Sequence, residues 1–585
     1  MRRDPHSYAD LAQGRTTHLT FHWTVDFEAR VLRGSTRLEL DEARDGPLDL
    51  DTRGLQIEAV VDEDGEPLAF DLSEPDPVLG ARLRIQRDRQ VGTLEIRYQS
   101  SPEATALMWL EPAQTAGGSR PFVLTQCQAI HARSITPVQD TPRVRASYRA
   151  EVTIPENMSA VMSAAPGEET PGADAGGRTL SFEMPQPIPS YLLALAVGEL
   201  DHRDIGPRTR VYAEPSVVEA AAWEFADAEK MLEAAEKLFG PYAWDRYDFI
   251  VLPPSFPMGG MENPRMTFLT PTLIAGDRSL VSVLAHELAH SWTGNLVTNA
   301  TNEDFWLNEG WTVYAERRLL EALYGVEDAT QQARLGRMTL EETFEERRGA
   351  GQSTALHYDQ DGLDPDREFS KIPYEKGFLL LVALERAVGR EAFDGFIQGY
   401  IDRFRFRSID TATFVDFVRA ELPEAKDVDL ESWIGGEGLV AEAPRFASKR
   451  LEELSALAEA WTPDDRPPAD GWTTTETLFF LAELPRLDAA ATEALGEWLG
   501  LRETRNAELQ CAWLVKAASA RVDGVEDELR AFVDRVGRTK LIKPVLAAMI
   551  DAGMKELAEE LIASNRPRWH SSTRLVVDGL VAAAA

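Results

Sequence analysis

Through the first two hundred residues the chain favours short polar and apolar alternation over helical spacing. Segments such as "HLTFHWTVDF", "TLEIRYQ" and "ASYRAEVTIP" carry alternating or β-rich patterns, and clusters of Gly, Pro and Asp separate them. They predict an all-β domain over residues 1–199. From about residue 216 the period changes. "SVVEAAAWEFADAEKMLEAAEKLFG" spaces its apolar residues as a helix does and ends on Gly240, a C-cap residue. Helices are expected to dominate a second domain, 200–440. The aperiodic stretch "GGEGLVAEAPRFAS" then marks a break, with a linker placed at 441–454. Beyond it, "TETLFFLAEL", "AATEALGEWLGL", "ELQCAWLVKAASA", "VEDELRAFVDRVG" and "KELAEELIAS" recur at similar length, as stacked helix pairs would. Residues 455–585 are therefore predicted to form a solenoid-like α-helical domain, and the whole chain is a multidomain α+β protein.

Composition narrows the function. A chain of 585 residues, 44% hydrophobic and 27% charged, exceeds what one core supports, and it has no apolar run of about 18 residues. The first residues, "MRRDPHSYADLAQGRTTHLTFHW", interrupt any signal-like apolar stretch with charges. Cys127 and Cys511 are the two cysteines, too few for a disulfide framework, so a reducing cytoplasm is expected. A net charge of -36 repels phosphate backbones and anionic lipid, which argues against nucleic-acid or membrane partners. The same charge suits a salty cytoplasm, where repulsion is screened over roughly 3 Å at 1 M salt.

One stretch carries chemistry. In "SLVSVLAHELAHSWTG" the apolar residues Leu280, Val281, Leu284 and Leu288 predict a helix, capped by Asp277 or Ser279 and ended by Gly294. On that helix His286 and His290 lie on one face, roughly 5 to 6 Å apart, and can share one metal ion. The H-E-x-x-H pattern suits Zn²⁺, with Glu287 displaced around the helix as general base. Glu309, nineteen residues after His290 in a second helical segment, can complete a two-histidine, one-carboxylate site with its fourth position open. An open position marks catalysis, because a structural zinc closes its coordination with protein ligands.

"HELAH", the Glu of "WLNEG" and "GGMEN" at 259–263 together resemble the M1-type gluzincin aminopeptidases. "QCQAIHARSITPVQDTP", "PPSFPMGGMENP", "SWTGNLVTN", "IPYEKGF" and "GRTKLIKP" make the chain most similar to the leukotriene A4 hydrolase branch and its bacterial aminopeptidases. The resemblance covers nearly the whole length. It implies an N-terminal β-sheet domain, a thermolysin-like zinc catalytic domain and a C-terminal helical domain. It also implies one zinc ion per chain, short peptide substrates with a free N-terminus, and a monomer.

The resemblance further implies residue roles. Glu262 binds the substrate's amino terminus with Gln128 beside it, while Gly259 and Gly260 admit an extended peptide where a side chain would obstruct it. Tyr374 stabilises the oxyanion, Arg538 and Lys540 face the terminal carboxylate, and Asp366 meets a basic first side chain or places water on a lipid. Two positions depart from the branch: Phe369 replaces a second tyrosine, and Met258 replaces the aromatic residue before "GGMEN". Neither touches the zinc ligands. They leave peptidase chemistry intact and set the alternative, hydrolysis of a lipid epoxide, behind it. A non-catalytic scaffold is argued against because every chemical role has a residue of suitable type.

Overall fold

The computed structural model describes residues 3–172, 177–469 and 471–583. Strands fill the N-terminal third. Eight of them form one sheet in which Thr16–Asp26 lies between Val31–Thr52, antiparallel, and Arg145–Pro155, parallel. Along Thr16–Asp26 the side chains of Phe21, Trp23 and Val25 turn inward, and His22 and Thr24 turn to solvent. That two-residue period gives the strand one wet and one dry face. Trp23 closes its indole N–H on the Tyr98 hydroxyl at 2.7 Å, so the buried ring leaves no polar atom unpaired. A second, four-stranded sheet of Leu107–Leu110, Phe122–Thr125, Leu195–Gly198 and Ser159–Met162 packs toward the middle of the molecule.

The middle third departs from the helical expectation. It opens on a five-stranded sheet in the order Asp201–Asp204, Thr209–Ala213, Tyr247–Val251, Met266–Leu269 and Gly260–Met261. Three of these strands run parallel. Tyr247–Val251 and Met266–Leu269 are buried at every position, so their sequences show no alternation to recognise. Helices then take over: Val281–Ala289, Trp306–Tyr324, Val326–Gly349 and Ile372–Val388. Trp306–Tyr324 is buried around most of its circumference and serves as the central rod of the domain.

The C-terminal part is wholly helical among the described residues, from Lys449–Ala460 to Ser571–Ala583, around its own core of Leu451, Phe479, Trp513, Leu541 and their neighbours. The first of these helices begins inside the stretch 441–454 expected to be a linker, with Leu451 and Leu454 already buried. Leu335 and Met338 of Val326–Gly349 pack on that core, and Asn506 donates to Ser279 Oγ at 3.0 Å, so the C-terminal part and the middle third meet beside the H-E-x-x-H helix.

Candidate active site

The helix Val281–Ala289 starts without the side-chain cap expected of Asp277 or Ser279. Leu280 holds the N-cap position, and Asp277 instead accepts from the Ser279 backbone N–H at 2.9 Å, in a turn one step upstream. Its other end carries the chemistry. His286 Nδ1 faces Glu316 Oε2 at 3.0 Å, and His290 Nδ1 faces the Thr293 carbonyl at 3.1 Å with the Thr312 hydroxyl at 3.0 Å. A carboxylate and a carbonyl accept only, so each Nδ1 carries a proton and each Nε2 is turned toward Glu309. The two Nε2 atoms lie 3.2 Å apart. Glu309 Oε2 stands 3.4 Å from the first and 3.6 Å from the second.

A divalent cation fits these atoms. Glu309 Oε2 is buried and has no hydrogen-bond partner, an arrangement that costs free energy unless a cation completes it. Tetrahedral zinc with bonds of roughly 2.0–2.1 Å sets its ligands about 3.3–3.4 Å apart, close to the three separations observed. The charges agree. Burial pushes the Glu287 carboxyl well above its usual range, opposed by His286 and reinforced by Glu262, Glu309 and Glu316. Burial and the charge of Glu309 push Glu262 up to about 8. Burial likewise lowers His290 to about 3, so its imidazole stays neutral as a metal ligand must be. His286, its burial outweighed by Glu309 and Glu316, is held above the usual imidazole range, and several carboxylates with two imidazoles crowded into one dry corner form a cation receptor.

Backbone contacts fix where these groups stand. A Cβ at Gly310 would come within 2.8 Å of Gly377 Cα, so Trp306–Tyr324 and Ile372–Val388 cross backbone to backbone. Only glycine allows that approach. It brings Tyr374, one turn before Gly377, against Glu309, with its ring stacked 6.2 Å from His286 at 17°. Gly294, with φ +114°, turns the chain after His290. A side chain there would strike Asn308 Oδ1 and His290 Nδ1 at 2.5 and 2.8 Å.

The strand Gly260–Met261 forms the facing wall. A Cβ on Gly260 would lie 2.4 Å from Glu287 Oε1, and one on Gly259 would lie 2.6 Å from Arg538 Nη2. The two glycines thus leave the space that Glu287 and Arg538 approach. Next along, Glu262 is 4% exposed, and its Oε1 faces Gln128 Nε2 and Asn308 Nδ2, each at 3.4 Å. Asn295 Nδ2 donates to the Glu262 carbonyl at 2.6 Å and ties this segment to the turn after His290. Glu262, Glu287 and His290 form a second triplet with ligand atoms within 4.8 Å of one another.

Three expected residues are engaged more fully than their motifs suggested. Asp366 is paired with His131 at 2.9 Å. Arg538 and Lys540 both bind Glu508, at 3.1 and 2.8 Å, so this carboxylate sits between the two cations. Motif reading missed Glu508, together with Glu316, Asn308 and Asn295. Glu316 had a signal, because it stands seven residues after Glu309 on the same face of the helix. Glu508 had none in its own segment.

Comparison with known proteins covers the chain from end to end. Residues 7–192 match the peptidase M1 N-terminal domain, residues 223–433 the peptidase family M1 domain, and residues 472–581 the leukotriene A4 hydrolase C-terminal domain. Leucine aminopeptidase 2 of Pyricularia oryzae is 37% identical over 602 residues, 98% of each chain. Leukotriene A-4 hydrolase of Xenopus laevis is 37% identical over 600 residues, again 98% of each. Yeast LTA4 hydrolase, solved in complex with bestatin, superposes with a TM-score of 0.92 at 32% identity, over 99% of this chain and 97% of its own.

Proposed function

The chain belongs to peptidase family M1, and from that premise we propose that it removes the N-terminal residue from short peptides. One zinc ion per chain would be held by His286, His290 and Glu309. When bound, the ion supplies Lewis acidity to a water molecule and to the scissile carbonyl. The observation that carries the reading is the position of Glu262, a buried carboxylate within the same cluster as Glu287 and His290. An ammonium group is the substrate feature that such a carboxylate pairs with, so cleavage is counted from the amino end. Leucine aminopeptidase 2 of Pyricularia oryzae, similar over nearly its whole length, supports this.

The protein groups then divide the work. Glu262 accepts from the substrate ammonium, with Gln128 donating beside it, and the Gly259 and Gly260 backbone lies along the extended peptide, the missing side chains leaving Glu287 and Arg538 their places. Glu287 takes a proton from the attacking water and returns it to the leaving nitrogen. A carboxyl held above its usual range by burial suits both halves of that exchange. The Tyr374 hydroxyl donates to the oxyanion that forms on the attacked carbonyl. Arg538 and Lys540 meet the substrate's terminal carboxylate, which favours short peptides, and Asp366 faces a basic first side chain.

The test is turnover of zinc-loaded protein on a panel of aminoacyl-arylamides and tripeptides, each with a free and an N-acetylated amino group. The free forms are expected to be cleaved and the acetylated forms refused. Equal turnover of both would remove Glu262 from its role.

A further inference from the structure

Lys371 stands beside this machinery without a carboxylate partner. Its ammonium lies 4.3 Å from the centroid of the Tyr374 ring and 6.0 Å from that of Phe369. Phe369 is itself 53% exposed, an apolar ring left open at the same edge of the cleft. Lys540, by contrast, is paired with Glu508 at 2.8 Å. Among the described residues no ion pair or hydrogen bond claims the Lys371 ammonium, although the chain has 97 acidic residues against 61 basic ones.

Local structure gives no reason for this lysine. Lys371 occupies the N-cap of Ile372–Val388 and makes no side-chain cap. Ser, Thr, Asp and Asn are the residues that favour that position, because their oxygens accept from the first free N–H groups. A cation there also opposes the positive end of the helix. A residue that breaks a local rule beside reacting groups points to function rather than folding.

The surrounding charge indicates what it faces. The Lys371 side chain is exposed to solvent. Partial desolvation by neighbouring protein atoms and the like charges of Lys540 and Arg538 hold its ammonium below the usual lysine range, with Glu309 and Glu375 opposing. Arg538 and Lys540 share the carboxylate of Glu508, and Arg538, 6% exposed, leaves its Nε without a partner. Lys371 is left, among the described residues, as the cation here with no carboxylate in ion-pair range.

We propose that Lys371 is a specificity residue that pairs with the carboxylate side chain of an acidic residue immediately after the scissile bond. The inference rests on the aminopeptidase reading above. In that reading Tyr374 marks the attacked carbonyl, and Arg538 and Lys540 take the terminal carboxylate. The ammonium over the Tyr374 ring is then left for the first side chain of the leaving peptide. The enzyme is accordingly selective for peptides with Asp or Glu in second position.

The experiment compares Leu-Asp-Gly with Leu-Asn-Gly, which share amino and carboxyl ends and differ in one charge. For the zinc-loaded wild type, kcat/KM is expected to favour the aspartyl peptide by up to about fivefold, the worth of one partly screened ion pair at a cleft. Lys371→Ser should bring the ratio to about one while its Tm stays at or above that of the wild type, because serine caps the helix. Lys371→Arg should keep the preference. An unchanged ratio in Lys371→Ser, or a wild-type ratio near one with both peptides cleaved, overturns the role of Lys371 alone. Failure to cleave either peptide overturns it together with the aminopeptidase reading.

Discussion

On one side of the cleft His286, Glu287, His290 and Glu309 come from two helices close in sequence, and on the other Lys371, Glu508, Arg538 and Lys540 come from three separate stretches. The first group is nearly dry: Glu287 is 6% exposed, Glu309 3% and His290 1%. The second reaches solvent, with the Lys540 side chain 60% exposed. Burial raises the strength of every electrostatic interaction, and also the cost of leaving a charge unmatched. The acidic side is therefore suited to fixed chemistry, in which each group is held in one position. The cationic side is suited to graded recognition, in which charges are added or removed at modest cost.

That contrast orders the expected effects of substitution. Glu287→Gln removes the proposed proton carrier while keeping its shape, and kcat should fall by about 10² to 10⁴ with metal content unchanged. A variant that keeps wild-type turnover at equal zinc occupancy would break the assignment of the acidic side. Tyr374→Phe deletes one donor to the oxyanion, and a loss of about 10² to 10³ in kcat is expected with zinc retained. Near-normal turnover there would reduce the ring to packing against His286. Glu316→Ala removes the acceptor that orients His286, and zinc affinity in a competition titration should weaken by about 10- to 100-fold. An unaltered titration would mean that the helix alone orients the imidazole.

The smallest effect belongs across the cleft and has the opposite sign. Glu508→Gln releases Arg538 and Lys540 from their internal carboxylate, so KM for a tripeptide with a free carboxyl end should fall, by up to about fivefold. The same tripeptide amidated at its C-terminus should show no such gain. An equal change for both peptides would mean that Glu508 supports the fold of this corner instead of tuning it.

The two sides also differ in how far the sequence reveals them. His286 and His290 are four residues apart on one helix, a spacing that states its own geometry, and Glu309 follows within the next helix. Glu508 meets Arg538 and Lys540 across two helices of the C-terminal part, and nothing in its own segment marks it. Architecture follows the same rule. The N-terminal strands carry the alternation of half-wet sheets and were legible. The parallel strands Tyr247–Val251 and Met266–Leu269 are dry on both faces and read as apolar runs without a period. In the C-terminal part, Thr539–Asp551 holds Pro544 inside a helix, where a proline ordinarily argues against one. Its burial of Leu541, Ile542, Val545, Leu546 and Met549 outweighs the lost hydrogen bond.

The central claim is that His286, His290 and Glu309 hold the ion on which turnover depends. Metal analysis of purified protein, run alongside leucyl-arylamide turnover before chelation, after chelation and after zinc is returned, tests it most directly. The account predicts about one zinc per chain, activity that disappears with the ion and returns with it, and a Glu309→Ala variant that neither retains zinc nor recovers. Undiminished turnover in the chelated protein, or full zinc retention by Glu309→Ala, would contradict it.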